Sequence, residues 1–491
     1  VSAADLMAAD YPVTIDPEVG SNDFRISNMG PDGSADYDAV TPKVAYNSTD
    51  NEYLVVWRAD DDTGSLADGE NEIYGQRIDA AGAEIGSVFR ISNMGTDGDT
   101  AYDGYGPTPA YNATDNLYLV VWEGDDVNIA GTLVDGESEI FGQLLTAAGV
   151  ETGVDDFRIS NMGPDANTAY DGYYPDVAWN ATDNEFLVVW EGDDDSGSLV
   201  DGESEIFGQL IDGATGAEIG SDFRISDMGA TDGSIDFKAY RPEVDWNATD
   251  NLYLVVWEGD DDTGPLVDGE SEIFGQLIDA AGAEIGSDFR ISDMGPDGNT
   301  GYDAYYPDVA WNSTDNEFLV VWHGDDNTGL FVASEYEIYC QRLLGANGTE
   351  IDGDLRLSDM GPDGTPSQFD PFYARVSYNA TDNVYLVVWD SDDDTGSLVD
   401  GEDEVYFQVV AGETGAEVGP DERISDMGTD GDDASDASEP HAAWNSTDNE
   451  FLVVWYGDQD VLPLIDEENE IFGQRLDGAA VPIKVSGYLV D

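Results

Sequence analysis

The stretch Tyr46–Trp57, Y-N-S-T-D-N-E-Y-L-V-V-W, returns six more times, at Tyr111–Trp122, Trp179–Trp190, Trp246–Trp257, Trp311–Trp322, Tyr378–Trp389 and Trp444–Trp455. The closing tryptophans stand 65, 68, 67, 65, 67 and 66 residues apart. So even a period means one supersecondary unit copied along the chain, and such units bury their apolar faces by stacking on one another. Within the stretch, an aromatic strand runs into Asn-x-Thr-Asp-Asn, whose Asx side chains hydrogen-bond their own backbone and favour a turn. A β-branched and aromatic run then leaves the turn as a second, well-buried strand. The stretch is a hairpin.

The rest of each copy supplies two more strands. In the first copy the hairpin strands are Val44–Asn47 and Tyr53–Trp57, an acidic loop follows over Asp60–Asn71, and Glu72–Ile78 is the third strand. A turn at Asp79–Ala83, around Gly82, leads to a fourth strand at Phe89–Ser92, and a long loop, Asn93–Pro107, leads to the next copy. Four short antiparallel strands repeated seven times predict an all-β fold, a seven-bladed β-propeller of four-stranded antiparallel blades. The expected division is an N-terminal extension over 1–22 with a partial blade strand, then the propeller over 23–491. The two long loops account for a period beyond the roughly 40–50 residues of common propeller repeats. A linear string of seven sandwiches fits less well, because units of about 66 residues bury little surface by themselves.

Strand counting makes ring closure a question. The first three strands occur seven times, but the fourth occurs eight times, starting at Phe24, Phe89, Phe157, Phe223, Phe289, Leu355, Glu422 and Ile483. Val13–Pro17, ahead of the first of these, resembles the end of a third strand such as Arg77–Ala80. Either strands from both termini close the last blade, or one terminus, Val1–Ser27 or Val481–Asp491, pairs with a neighbouring copy. The second arrangement makes the chain its own partner in a filament, because an open strand edge templates another chain and a head-to-tail contact need not close.

Charge limits the partners. The chain has 491 residues, 41% of them apolar, which suffices for a core; its 16 basic residues face 107 acidic ones for a net charge of −91. Such a surface repels nucleic acid and anionic membranes, so neither is expected as a partner. It also repels itself, so the fold calls for screening salt or bound cations. Cys340 is the only cysteine and replaces a glycine of the other copies (Gly75, Gly142, Gly208, Gly275, Gly473), which reads as a small residue in a crowded strand. No apolar run approaches the roughly 20 residues that span a bilayer. The sequence starts at Val1 without methionine or a basic leader, as a secreted chain does after signal removal.

The acidic loop, G-D-D-D-T-G-x-L-x-D-G-E-x-E, is the strongest candidate site. Its acids are Asp60, Asp61, Asp62, Asp68 and Glu70 in the first copy, and Asp125, Asp126, Asp135 and Glu137 in the second, which carries a two-residue insertion. The third has Asp193, Asp194, Asp195, Asp201 and Glu203; the fourth Asp260, Asp261, Asp262, Asp268 and Glu270; the sixth Asp392, Asp393, Asp394, Asp400 and Glu402. Calcium takes 6–8 oxygen ligands in a flexible geometry, and two acidic clusters hinged by glycines suit it. The competing reading is a set of solvated acidic turns. The fifth and seventh copies depart from the pattern, with Ala333-Ser334-Glu335 in one and Gln459 between Asp458 and Asp460 in the other.

The second loop, clearest at Met294–Pro307, combines Asp297 and Asp303 with Tyr302, Tyr305 and Tyr306. Its counterparts hold Tyr170, Tyr173 and Tyr174, and Phe369, Phe372 and Tyr373. Such rings either pin the loop to its blade or stack on sugars. Asn47, Asn112, Asn180, Asn247, Asn312, Asn379 and Asn445 each begin Asn-x-Thr, as does Asn347. In the repeated seven this reads as turn chemistry first, and as glycosylation sites second. Catalysis has little to rest on. His323 and His441 are the only histidines, and zinc, Ser-His-Asp and Cys-His sites lack their residues.

L-V-V-W, the acidic loop, E-I-[FY]-G-Q-[RL]-[IL]-D-A-x-G-x-E-I-G and F-R-I-S together resemble repeats of large secreted prokaryotic surface and adhesin-like proteins. The resemblance spans Val13 to Ser486. It implies an extracellular or cell-surface, often calcium-associated, adhesive or matrix protein. The expected function is therefore a non-enzymatic, calcium-stabilised structural or adhesive role. The alternative is a polysaccharide-binding module, or a lyase or hydrolase, on the propeller scaffold, with surface glycans as partners. Its mark would be a His, Arg and Tyr cluster near the axis, for which His323 with Arg342, or His441, are the starting points.

Overall fold

L-V-V-W reads as continuously apolar rather than alternating because each copy sits inside a blade with both faces covered. Tyr53 through Trp57 are fully buried, and so are Trp122, Trp190, Trp257, Trp322, Trp389 and Trp455. The computed structural model describes residues 23–61, 66–126, 133–194, 199–229, 233–261, 266–326, 334–362, 369–392, 398–399, 401–428, 431, 435–459, 464–465 and 468–480. They form seven four-stranded antiparallel sheets, with no helix among the described residues. The blades span 39–90, 104–158, 172–224, 239–290, 304–356, 371–423 and, for the last, 437–477 together with Phe24–Arg25. The protein is a seven-bladed β-propeller.

Within a blade the strands run from axis to rim in chain order. In the first they are Ala39–Asn47, Glu52–Asp60, Asn71–Asp79 and Glu84–Arg90. The second and third pair without interruption from Glu52↔Asp79 to Asp60↔Asn71. The apolar cores lie between blades. Trp57, Tyr53 and Val44 of the first pack with Leu452, Val454 and Ile471 of the last, so the ring is closed. The inner strands start earlier than the sequence suggests: the expected loop Asn93–Pro107 overlaps the strand Gly104–Asn112. An X-Pro pair reads as a strand break, but at the axial edge of a sheet a proline withholds no ladder hydrogen bond.

The seventh blade takes its outer strand from the N-terminal side: Phe24 pairs with Gly473 and Arg25 with Phe472. Of the two closures left open by strand counting, the described residues show the first. Val13–Pro17 and the eighth copy at Ile483 lie outside the described residues.

Each outer strand is clamped by one repeated device. The glutamate opening E-I-[FY] is buried and meets the arginine of F-R-I-S, at 3.6 Å for Glu72–Arg90 and 3.1 Å for Glu337–Arg356. The following serine donates its hydroxyl to the same carboxylate, and accepts the N–H of the next residue of the third strand, as Ile73 gives to Ser92 at 2.7 Å. Burial raises these acids to about 7 in Glu72, Glu139, Glu205 and Glu470, and to about 8 in Glu272, Glu337 and Glu404. The side-chain pairing escaped the sequence reading, although E-I-[FY] and F-R-I-S recur together in nearly every copy.

The opposite face carries the Asn-x-Thr-Asp-Asn turns. The first asparagine of each is fully buried and its Oδ1 accepts two backbone N–H groups, at 2.9 Å from Thr49 and 2.9 Å from Asp50 in the first copy. The last asparagine adopts a left-handed backbone, with φ of 57° at Asn51, and donates to the preceding blade's aspartate. Asn51→Asp448 (2.8 Å), Asn116→Asp50 (3.0 Å), Asn184→Asp115 (2.8 Å), Asn251→Asp183 (2.8 Å), Asn316→Asp250 (2.9 Å), Asn383→Asp315 (2.9 Å) and Asn449→Asp382 (2.7 Å) make a closed belt. The buried amides of Asn47, Asn112, Asn180, Asn247, Asn312, Asn379 and Asn445 therefore do turn chemistry. Asn347 is exposed.

Candidate functional site

Because inner and second strands are antiparallel, the acidic loops and the tyrosine loops emerge on one face, around the mouth of the axis. The acidic loops use their carboxylates as hydrogen-bond acceptors. The first aspartate closes its own loop: Asp60 accepts from Gly69 at 2.5 Å, Asp125 from Gly136 at 2.7 Å, Asp193 from Gly202 at 2.5 Å, Asp260 from Gly269 at 2.7 Å and Asp392 from Gly401 at 2.6 Å. The second reaches the loop before its own blade: Asp126 accepts from Gly95 at 3.1 Å, Asp194 from Gly163 at 3.2 Å and Asp261 from Gly229 at 3.2 Å. The glutamate is buried and pins the loop that follows: Glu70 accepts from Gly98 at 2.8 Å, Glu137 from Ala166 at 2.9 Å, Glu203 from Gly233 at 2.9 Å, Glu270 from Gly298 at 2.9 Å and Glu402 from Gly431 at 2.9 Å. Asp68, Asp135, Asp201 and Asp268 are exposed at turn tips. Asp62, Asp195, Asp262, Asp393, Asp394 and Asp400 lie outside the described residues. Among the described residues no three His, Cys, Asp or Glu side chains converge as a metal set. One buried oxygen each on Glu70, Glu137 and Glu402 has no hydrogen-bond partner among the described residues.

The tyrosine loops divide in two. Tyr170, Tyr302 and Phe369 lie flat on Gly163, Gly295 and Gly361, where a Cβ would meet the ring at 2.4, 2.6 and 2.2 Å. These pin loops. Tyr174, Tyr306 and Tyr373 instead belong to the axis, where every inner strand carries a bulge. At that bulge Thr41, Gly106, Tyr174, Arg241, Tyr306, Tyr373 and Glu439 all have φ between 50° and 55°, and all but Tyr373 precede proline. A left-handed backbone is rare for tyrosine, arginine or glutamate and disfavoured further by a bulky neighbour; such strain concentrates at ligand sites.

These seven residues wall a cavity of about 260 Å³ on the axis. Its floor includes Lys43, Glu243, Arg375 and His441. Lys43 Nζ lies 3.6 Å from Asp176 and 3.6 Å from Glu243, and Arg375 lies 3.4 Å from Glu243, so charges from four blades meet across the axis. His441 Nδ1 accepts the Val44 N–H at 3.4 Å, and burial holds its imidazole neutral.

Behind the wall stands a second ring, Arg58, Glu123, Glu191, Glu258, His323, Asp390 and Tyr456, at equivalent positions of the second strands. It grips the wall: Glu123 accepts the Tyr174 N–H at 2.7 Å, and Glu258 accepts the Tyr306 N–H at 3.0 Å and Arg241 Nη1 at 2.6 Å. The Arg241 guanidinium lies 4.1 Å over Tyr306 and 5.2 Å over Tyr174. Tyr306 meets Tyr373 edge-on at 5.0 Å and stacks on His323 at 5.2 Å. Burial raises Glu123 to about 7 and Glu191 to about 8, and lowers His323 to about 3, the nearby Arg241 charge adding to the last. Arg58 Nε, Arg241 Nε, Glu191 Oε2, His323 Nδ1 and Asp390 Oδ1 are buried with no hydrogen-bond partner among the described residues.

So the His, Arg and Tyr cluster exists, but its arginine is Arg241. Arg342 pairs with Glu317 at 2.6 Å inside the fifth blade. The sequence signal for the axis was divergence: X-Pro recurs in six inner strands while X is different in kind from blade to blade.

No protein-family model matches this chain, and no curated protein matches it. Among solved structures it is similar to an α-L-arabinofuranosidase from Fusarium graminearum (12% identity, 80% of this chain and 99% of that one, TM-score 0.46). It is also similar to the β-propeller domain of the Trilobed protease from Pyrococcus furiosus (10% identity, 89% and 92% covered, TM-score 0.44). A third is the NanB sialidase of Streptococcus pneumoniae (8% identity, 98% and 73% covered, TM-score 0.45). By its strand pairing the chain is a seven-bladed β-propeller with an asymmetric axial cavity.

Proposed function

We propose that the protein binds carbohydrate in the axial cavity and acts outside the cell or on its surface as an adhesive protein for glycans. What supports the reading is the wall ring. The hairpin turns and the Glu–Arg–Ser clamps repeat nearly unchanged through the seven copies, whereas the wall supplies threonine, glycine, tyrosine, arginine, tyrosine, tyrosine and glutamate, and the ring behind it varies as well. A sevenfold ring offers seven equal sites unless its symmetry is broken, and it is broken at the axis. Aromatic faces beside a few fixed polar groups suit a sugar ring, which has both apolar and hydroxyl-bearing surfaces. The cavity is below the roughly 300–1,000 Å³ of sites for drug-sized ligands, so it suits one small ring at a chain end. A glycan array probed with the native protein and with Tyr306→Ala is the test: binding that drops at least tenfold in the variant supports the reading, and no binding, or binding indifferent to Tyr306, sinks it. Glu439 and Glu243 line the cavity, and burial raises the pKa of both against the pull of Arg375 and Lys43, so a carboxyl stands within reach of a ligand. Release of new sugar ends by the native protein but not by Glu439→Gln turns the reading from binding to hydrolysis.

A second reading concerns stability. We propose that calcium binds the acidic loops, supported by buried oxygens of Glu70, Glu137 and Glu402 that have no hydrogen-bond partner among the described residues, for which a hard cation is a suitable partner. Binding to the folded state at about 100 times the dissociation constant adds about 2.7 kcal/mol per site. A melting temperature unchanged by chelation at fixed ionic strength rejects it.

A further inference from the structure

The 16 basic residues are placed selectively. Seven arginines, one per blade from Arg25 to Arg423, clamp the outer strands. Arg77, Arg342 and Arg475 pair with Glu52, Glu317 and Glu450 inside their blades. Lys238 lies in the loop before the fourth blade, and Lys484 is outside the described residues. The remaining four, Lys43, Arg58, Arg241 and Arg375, stand at the axis, in the cavity or directly behind its wall. The repeat does not require them. Lys43 and Arg375 occupy the position that is Thr108, Asp176, Glu243, Asp308 or His441 in the other copies.

Most carboxylates around these cations tie blade to blade. Asp176 accepts the Val244 N–H at 2.9 Å and Asp308 the Val376 N–H at 2.7 Å, while Glu123 and Glu258 hold the wall. The cavity lining itself has two carboxylates, Glu243 and Glu439, beside Lys43, Arg241 and Arg375. Glu243 already meets both Lys43 and Arg375. Glu439 feels the charges of Arg375, Arg58 and Lys43 without an ion pair to any of them among the described residues. The Arg241 guanidinium donates to Glu258 from Nη1 and otherwise lies over Tyr306 and Tyr174. It fills the seat that a cationic ligand would take on those rings, so a cation is excluded from them. There is also room beside the rings: at Gly106 a Cβ would meet nothing within 4 Å.

We propose that the sugar bound in the axial cavity is anionic, its carboxylate or sulfate held by Arg241, Lys43 and Arg375. The inference rests on the glycan-binding reading above and names the class of sugar. Covering three cations with a neutral ring removes their water and returns only neutral acceptors, whereas an anionic group restores the charge compensation through charge-assisted hydrogen bonds. The net charge of −91 opposes an anion at a distance. At roughly 0.15 M salt, charges more than about 8 Å away are largely screened, and the contacts inside the cavity decide.

The probes are an oligogalacturonide and a sulfated galactan fragment, each paired with its neutral form, carboxyl-reduced or desulfated, and titrated into the full chain at that ionic strength. At least one anionic probe binds about tenfold or more tightly than its neutral form, and which one does so identifies the group. Lys43→Met lowers this ratio about threefold or more. Glu439→Gln removes a negative charge from the wall and raises it about threefold or more. Circular dichroism verifies that each variant keeps its β-structure. Glu439 has no ion pair to lose among the described residues, so its variant decides the matter even if Lys43→Met fails to fold. Neutral forms bound as tightly as anionic ones, with binding still lost in Tyr306→Ala, overturn this inference and leave the glycan reading standing. A ratio that Glu439→Gln lowers or leaves unchanged overturns it too, and no binding of any sugar overturns both.

Discussion

Asn180 is representative of the buried turn residues. Its Oδ1 accepts the Thr182 and Asp183 N–H groups at 2.8 and 3.1 Å, and its side chain is fully enclosed. Asn180→Ala leaves both donors unpaired in a site with little water, which costs about 1–3 kcal/mol for each group fully deprived. The expected loss in a urea titration is at least 1 kcal/mol; a loss of only a few tenths would show that the cap contributes nothing. This residue was legible from the sequence as a turn former. Arg241 was not. An arginine before proline in a long loop gives no sign that its guanidinium will lie over two tyrosines from neighbouring blades, because those tyrosines arrive from about 65 residues away on either side.

The third and outer strands of each blade are joined through a buried carboxylate, and this makes their pairing sensitive to pH. Desolvation raises Glu139 to about 7, against the pull of Ser160, Arg158 and the Met162 N–H. A carboxyl whose folded pKa is raised favours the folded state while protonated, so its contribution is complete below its ordinary value near 4.5 and is lost as pH rises through about 7. Arg158→Ala removes the cation that favours the charged form, so the folded pKa rises further and the loss should continue to higher pH and grow larger. Melting curves of the native and Arg158→Ala proteins from pH 5 to pH 9 read this directly: the gap between them should widen towards high pH. A gap that is constant or narrows with pH would mean that Glu139 is not held by Arg158. The serine and arginine could be placed on one strand from F-R-I-S, but their partner could not, since the register between third and outer strands shifts at Gly142 and Leu144.

Across the whole ring the same sign is repeated. Glu72, Glu139, Glu205 and Glu470 are raised to about 7, Glu272, Glu337 and Glu404 to about 8, and Asp23 and Asp156 to about 8, desolvation being the main cause throughout. With a net charge of −91, repulsion acts in the same direction. The melting temperature at fixed ionic strength should therefore rise from pH 9 to pH 5, contrary to a protein whose acids are mostly paired. A protein that melts lower at pH 5 than at pH 8 would show that its buried acids are neutralised by partners rather than by protons.

The number of blades, the four strands in each and the placement of turns were all determined locally, by period, alternation of apolar runs with glycine- and aspartate-rich turns, and Asx chemistry. Those are properties of about 66 consecutive residues, and seven copies state them seven times. Ring closure was narrowed to two solutions by counting strands, and only the pairing of Phe24–Arg25 with Asn469–Asp477 chose between them. The axial cavity was beyond reach for a different reason. It is built from one residue per repeat, and each copy read in isolation shows only an unremarkable X-Pro in a loop. Closing the ring brings Tyr174, Arg241, Tyr306, Tyr373 and Glu439 to one wall, so the site exists only as a consequence of tertiary structure.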